Sequence, residues 1–197
     1  MFKNVPKGEY GHSKSYMKRR LLMTLICLLI IVALVVLSII IFHTRKSWLV
    51  ILACVAAIPF ARNLIDFAMA LRAKPLSESN HSKFEELHEA VPNSTFLYDI
   101  TVTDTDGMIY LPCVAVYNNN IIAYLPDNIT DRRKVKIPEN KAVKFLELAK
   151  KDGLNPRICV VRTFDKMNKE IEKLNPPKEE QIKEDERIAF SVITLGF

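Results

Sequence analysis

The longest stretch without a charge is "LLMTLICLLIIVALVVLSIIIF", Leu21 to Phe42. At about 1.5 Å per residue it makes a helix of roughly 33 Å, enough for a hydrocarbon core of about 30 Å, and it predicts a transmembrane span. Lys18, Arg19 and Arg20 precede it as they would in a secretory signal, but the run is too long for an h-region and no small-x-small cleavage site follows. A second apolar stretch, Trp48 to Ala61, reaches only about 21 Å as a helix. Extended to Leu71 it reaches about 36 Å and suffices to cross, provided Arg62 and Asp66 are accommodated. These two stand at i and i+4 and are expected to pair on one helix face, with Arg62 snorkelling toward the interface. Ala53, Ala57 and Ala61 recur every four residues, a small stripe expected to seat the neighbouring helix. Only His43 to Ser47 separates the two helices, which forces an antiparallel hairpin. Pro59 is tolerated within a packed membrane helix.

From Pro75 the pattern changes to that of a soluble domain. "KPLSESNHS" predicts a linker, with Ser77 or Ser79 able to cap a helix running through "KFEELHEAV". "STFLYDITVTD" alternates, with Phe96, Tyr98, Ile100 and Val102 on one face, and predicts a half-buried strand. "MIYLPCVAVY" is apolar on both faces and predicts a central strand, and "IIAYL" a third strand beyond the turn "NNN" (Asn118 to Asn120). A helix is expected from about Pro138 to Asp152 with Gly153 as its stop, a strand at Arg157 to Phe164, and a short helix from Asp165. "PPKEEQIKEDE" predicts a charged, exposed turn or helix, and "RIAFSVITLGF" a fifth strand. The fold class is α+β: a two-helix hairpin (21–42 and 48–71), then a mixed sheet of about five strands packed on helices in the order α-β-β-β-α-β-α-β. The implied segments are 1–20 basic flank, 21–72 hairpin, 73–83 linker and 84–197 domain.

Charge sharpens this division. The net charge of the 197-residue chain is +6. Residues 1 to 74 hold 11 Lys/Arg against 2 Asp/Glu, and residues 75 to 197 hold 17 against 20. The basicity therefore belongs to the membrane flank, where Lys14, Lys18, Arg19 and Arg20 are expected to meet anionic lipid head groups. The domain lacks the basic field of a nucleic-acid binder, although "DRRKVK" (Asp131 to Lys136) is a local exception. Six basic residues precede the first span and two, Arg45 and Lys46, lie in the hairpin loop. This bias places both termini and the domain in the cytoplasm, at the cell membrane.

Candidate chemistry is sparse. Cys27 and Cys54 lie in the spans, Cys113 and Cys159 in strands, and no CxxC spacing exists, so the cysteines read as reduced small hydrophobes. His81, Glu85 and His88 fall at i, i+4 and i+7 and share one helix face, the arrangement that metal ligands or a general base would need. Asp99, Asp104 and Asp106 form a second carboxylate group able in principle to hold a divalent cation, although "DTDG" needs only to be a turn. Asn80, Asn93 and Asn128 begin N-x-S/T sequons, relevant only in a glycosylating lumen. No Gly-rich phosphate loop is present, and no cofactor is implied.

The order α-β-β-β-α-β is similar to the core of restriction-endonuclease-like nucleases, some of them membrane-tethered. That resemblance implies a metal-binding Asp on the second strand and Glu-x-Lys on the third. Here those strands read "MIYLPCVAVY" and "IIAYLPD", without Glu-x-Lys, and no catalytic residue carries over. The expectation is an anchored domain that works by binding a protein partner or its own copies. A membrane-tethered metal-dependent hydrolase and a membrane-associated sensor are the alternatives.

Overall fold

The computed structural model describes residues 5–42, 48–71, 73, 75–104, 107–127, 129, 137–150 and 154–195. They fall into two compact units, one comprising Ser13–Arg72 and the other Val5–His12 with Ala73–Phe197. The expected helix stop Gly153, the sequon residue Asn128 and the basic run Asp131 to Lys136 lie outside the described residues.

The first unit holds helices α1 (His12–Phe42) and α2 (Trp48–Ala70). Both are long and apolar enough to cross a membrane. Their burial is inverted relative to a soluble helix pair. Between Leu21 and Ile41 every side chain is exposed except Thr24, Cys27, Ile31, Leu34 and Ser38, with Arg20 continuing the same row. Most of the large aliphatics point outward: Leu29 is 68% and Ile40 63% exposed, whereas Ser38 is 0% exposed. On α2 the inward row is Leu49, Ala53, Ala56, Phe60, Asn63 and Phe67. Steps of four and three alternate along both rows, so each helix presents a heptad-spaced row in which small and polar residues are mixed with larger apolar ones. Ala53 belongs to this seam but Ala57 and Ala61 are exposed, because a straight i, i+4 row drifts off a seam whose mean step is 3.5.

The second unit contains α3 (Glu78–Ala90), β1 (Thr95–Asp104), β2 (Gly107–Tyr117), β3 (Asn120–Tyr124), α4 (Glu139–Glu147), β4 (Arg157–Val161), α5 (Phe164–Glu172) and α6 (Glu179–Leu195). The strands form one sheet in the order β1-β2-β3-β4, antiparallel through the meander and parallel between β3 and β4. Ala142, Phe145 and Leu146 of α4 and Ile188, Ala189 and Val192 of α6 bury one face; Phe84 and Leu87 of α3 and Met167 and Ile171 of α5 bury the other. Helix α3 begins at Glu78, capped by the Ser77 hydroxyl accepting from the Asn80 amide, so the linker is shorter than its polar sequence suggests.

Two expectations are corrected. "RIAFSVITL" is the second half of α6, not a fifth strand. Asp185, Ile188, Ala189 and Val192 are buried at i, i+3, i+4 and i+7, and this helical period overrides the β-branched content. The alternation in β1 also breaks at Asp99. Phe96 and Tyr98 pack in one cluster, but Ile100 and Val102 join Leu97 in the other. Asp99 is left-handed, at φ +55, and stands opposite Pro112 between the pairs Tyr98↔Cys113 and Ile100↔Leu111. Proline offers no N–H to the ladder, so the sheet swaps faces where pairing is weakest.

Truncating Ile188, which is fully buried in α6, to alanine should cost about 2–5 kcal/mol of stability. Denaturant unfolding of the purified chain followed by circular dichroism tests this; an exposed terminal strand in place of α6 would give a loss below about 1 kcal/mol.

Candidate functional site: the strapped edge of the sheet

The segment Val5–His12 lies along the outer side of β1, an edge strand. Gly8 and Tyr98 form an antiparallel bridge in which the Tyr98 N–H donates to the Gly8 carbonyl at 2.8 Å. The Gly11 N–H donates to Asp99 Oδ2 at 3.0 Å, and the other Asp99 oxygen accepts from the Tyr110 hydroxyl. Between the glycines, Tyr10 stacks on His81, with centroids 3.8 Å apart and planes 10° from parallel, and its hydroxyl donates to the Leu76 carbonyl at 3.1 Å. His81 in turn meets the edge of Tyr98 at 4.8 Å, while Glu85 Oε1 lies 3.6 Å from His81 Nε2 and accepts from the Tyr98 hydroxyl at 3.4 Å.

Glycine is required twice in this strap. Gly8 and Gly11 have φ of +87 and +86, and a Cβ at Gly8 would come within 3.3 Å of Leu97 and 3.4 Å of Ile193. Burial is the main cause that raises the Tyr98 pKa, followed by Cys113 and Glu85; burial, then Glu78 and Asp99, raises that of Tyr10. Both phenols therefore remain neutral donors at physiological pH, and the cluster is built to hold a chain segment in place.

The candidate ligands divide between jobs. His81 and Glu85 meet, whereas His88 turns away to Ser94, with Nδ1 3.2 Å from its hydroxyl. Asp99 is buried in the strap contact, Asp104 closes β1 opposite Gly107, and Asp106 lies outside the described residues. No group of three or more His, Cys, Asp or Glu able to hold a metal occurs among the described residues. Within the helix pair, Arg62 is exposed and Asp66 pairs instead with Arg20 of α1, at 3.2 Å. Arg20 also donates to Asn63 Oδ1 at 2.8 Å, and its guanidinium lies 4.9 Å from the Tyr16 ring centre. The expected pairing within α2 is thus replaced by one between helices, which desolvates the charges against each other at the polar end of the seam. Lys14, Lys18 and Arg19 are exposed around it.

A second polar feature, invisible in local sequence, closes the β2–β3 turn. Asn118 and Asn119 both have positive φ, +48 and +58, as a two-residue type I′ turn demands. Asp185, 1% exposed on α6, accepts from both of their N–H groups at 2.7 Å. Burial raises its pKa, and the two amide hydrogen bonds offset only part of that rise.

An open cleft of about 380 Å³ on the same unit is lined by Leu154, Glu186, Arg187, Phe190 and Ser191. Phe190 (68%) and Leu148 (41%) are the large apolar side chains exposed among the described residues of this unit. No protein-family model, curated protein or solved structure significantly matches the chain. The nuclease resemblance therefore stays one of element order.

Two measurements test these assignments. Asn63 Nδ2 lies 4.0 Å from Cys27 Sγ, so Asn63→Cys should form a disulfide with Cys27 under mild oxidation, detected as a linked α1–α2 fragment pair after proteolysis. Ala57→Cys, which points outward, should not. Asp185→Ala should lose about 1–3 kcal/mol by orphaning the turn amides. Because the folded pKa of Asp185 lies above its unfolded value of 3.8, its protonation linkage favours folding fully below 3.8 and is lost as pH rises through the folded value. The stability of the native chain relative to Asp185→Asn should therefore fall over that window and then level off.

Proposed function

We propose that this chain is a two-pass membrane protein whose helical hairpin anchors an α+β domain on the side that also holds its N-terminus, and that the domain acts by protein interaction. The observation that carries the reading is the inverted burial of α1 and α2: most aliphatic side chains outside, Thr24, Cys27, Ser38, Ala53 and Asn63 inside. In water such a pair would expose a continuous apolar surface, whereas in lipid that surface needs no partner and the small and polar residues are kept to the inward rows.

A connectivity argument supports the sidedness. Val5–His12 precedes α1 and Ala73–Phe197 follows α2, yet both belong to one compact unit. An even number of crossings is the way to bring them together. The excess of Lys and Arg before α1 then favours the cytoplasm. Exposed Lys14, Lys18 and Arg19 suit anionic head groups, and exposed Phe190 beside its cleft suits a protein contact.

Reporters fused before Met1 and after Phe197, read with protease protection in oriented vesicles, should place both termini on the same, cytoplasmic face. Opposite faces would remove the two-pass reading, and two external termini would remove the cytoplasmic assignment.

A further inference from the structure

The strap Val5–His12 meets the sheet edge through its backbone and through the side chain of Tyr10. Among its described contacts, two backbone hydrogen bonds, Tyr98 to Gly8 and Gly11 to Asp99, join the strap to β1, while the Tyr10 ring stacks on His81 and meets the edge of Tyr98 and its hydroxyl donates to the Leu76 carbonyl. Its remaining fit is conformational, since two positive-φ glycines flank the stacked tyrosine. Asp99 holds its own strained φ of +55 while its carboxylate receives the Gly11 N–H. By contrast β2, behind this edge, is buried from Ile109 to Tyr117 and paired on both sides from Cys113 to Val116, so this stretch of the sheet is enclosed without the strap.

From this geometry we infer that Val5–His12 is a displaceable cis latch. It occupies the β1 edge at Tyr98–Asp99 as an intramolecular peptide ligand and ties the start of α1 to the domain, so any chain adding to that edge must first displace it. The recognition elements are those the strap itself uses: a carbonyl for the Tyr98 N–H, an aromatic ring for His81, and a free N–H for the Asp99 carboxylate. The inference rests on the strap and domain sharing one side of the membrane, as proposed above.

The test uses the full chain in detergent, with Gly8→Val and Gly11→Ala combined. These substitutions oppose the positive φ at both glycines, and the side chain added at Gly8 also crowds Leu97 and Ile193. Hydrogen exchange at the Tyr98 amide should accelerate at least tenfold and trypsin cleavage after Lys7 should speed up, while the amides of Val114 and Ile122 keep their protection. A synthetic peptide of residues 5–12 should then restore slow exchange at Tyr98 saturably, and the same peptide carrying Tyr10→Ala should not. Unchanged exchange at Tyr98 would overturn the latch, as would loss of protection at Val114, which would make the strap an integral part of the core. Failure of the native peptide to restore protection would overturn the ligand-like recognition. Terminus sidedness is measured separately, so a failed latch leaves the anchor reading standing.

Discussion

Strand β2 has no exposed side, and the domain is arranged around that fact. Its side chains from Ile109 to Tyr117 are buried, so helices must cover both faces and strands must line both edges. Helices α4 and α6 take one face and α3 and α5 the other. A sheet buried on both faces reads as a continuous apolar run rather than an alternating one, as "MIYLPCVAVY" does. The polar groups that remain inside are spent on the backbone: Asp99 on the strap and Asp185 on the β2–β3 turn. Each carboxylate bridges segments distant in sequence, where an apolar side chain would leave N–H groups without partners.

The two units obey opposite solvation rules within one chain. In the domain, aliphatics go inside and charges outside. In the hairpin, most aliphatics go outside, and the seam takes serine, threonine, cysteine, alanine and asparagine between its few larger side chains. The Arg20–Asp66–Asn63 group lies at the start of the apolar run of α1. A charge there has a partner on the other helix and, in the membrane proposed above, would be less costly than one deeper in the run.

Much of this was legible in the sequence, and the failures have physical causes. Both membrane-length helices, the hairpin, the central strand, the asparagine turn and the α-β-β-β-α-β order follow from run length, period and turn chemistry. Helix α6 did not, because its inward row begins with Asp185, so a polar residue hides the helical period and the β-branched "SVIT" suggests a strand. The Ala53, Ala57, Ala61 row is a true periodicity read at the wrong step. Arg62 and Asp66 were adjacent on one helix, but Arg20 on the other helix offered Asp66 a partner across the seam. Among the site candidates, His81, Glu85 and Asp99 do lie in one neighbourhood, yet what joins them is Val5–His12, and its placement is set by tertiary contact alone. Two glycines flanking Tyr10, in a chain with five, were the only local sign.

The seam of the hairpin also fixes a handedness. A straight α-helix has 3.6 residues per turn, so a row repeating every 3.5 creeps around its surface by about 20° per heptad. For Arg20 through Ser38 to stay against Leu49 through Phe67 over their whole length, the two helices would have to wind about each other with a left-handed superhelical twist. Phase along that twist then becomes a property of the chain. Inserting a single residue after Cys27 would swing Ile31, Leu34 and Ser38 by about 100° and turn a buried serine to the outside, whereas a seven-residue insertion would lengthen the row and leave it in step.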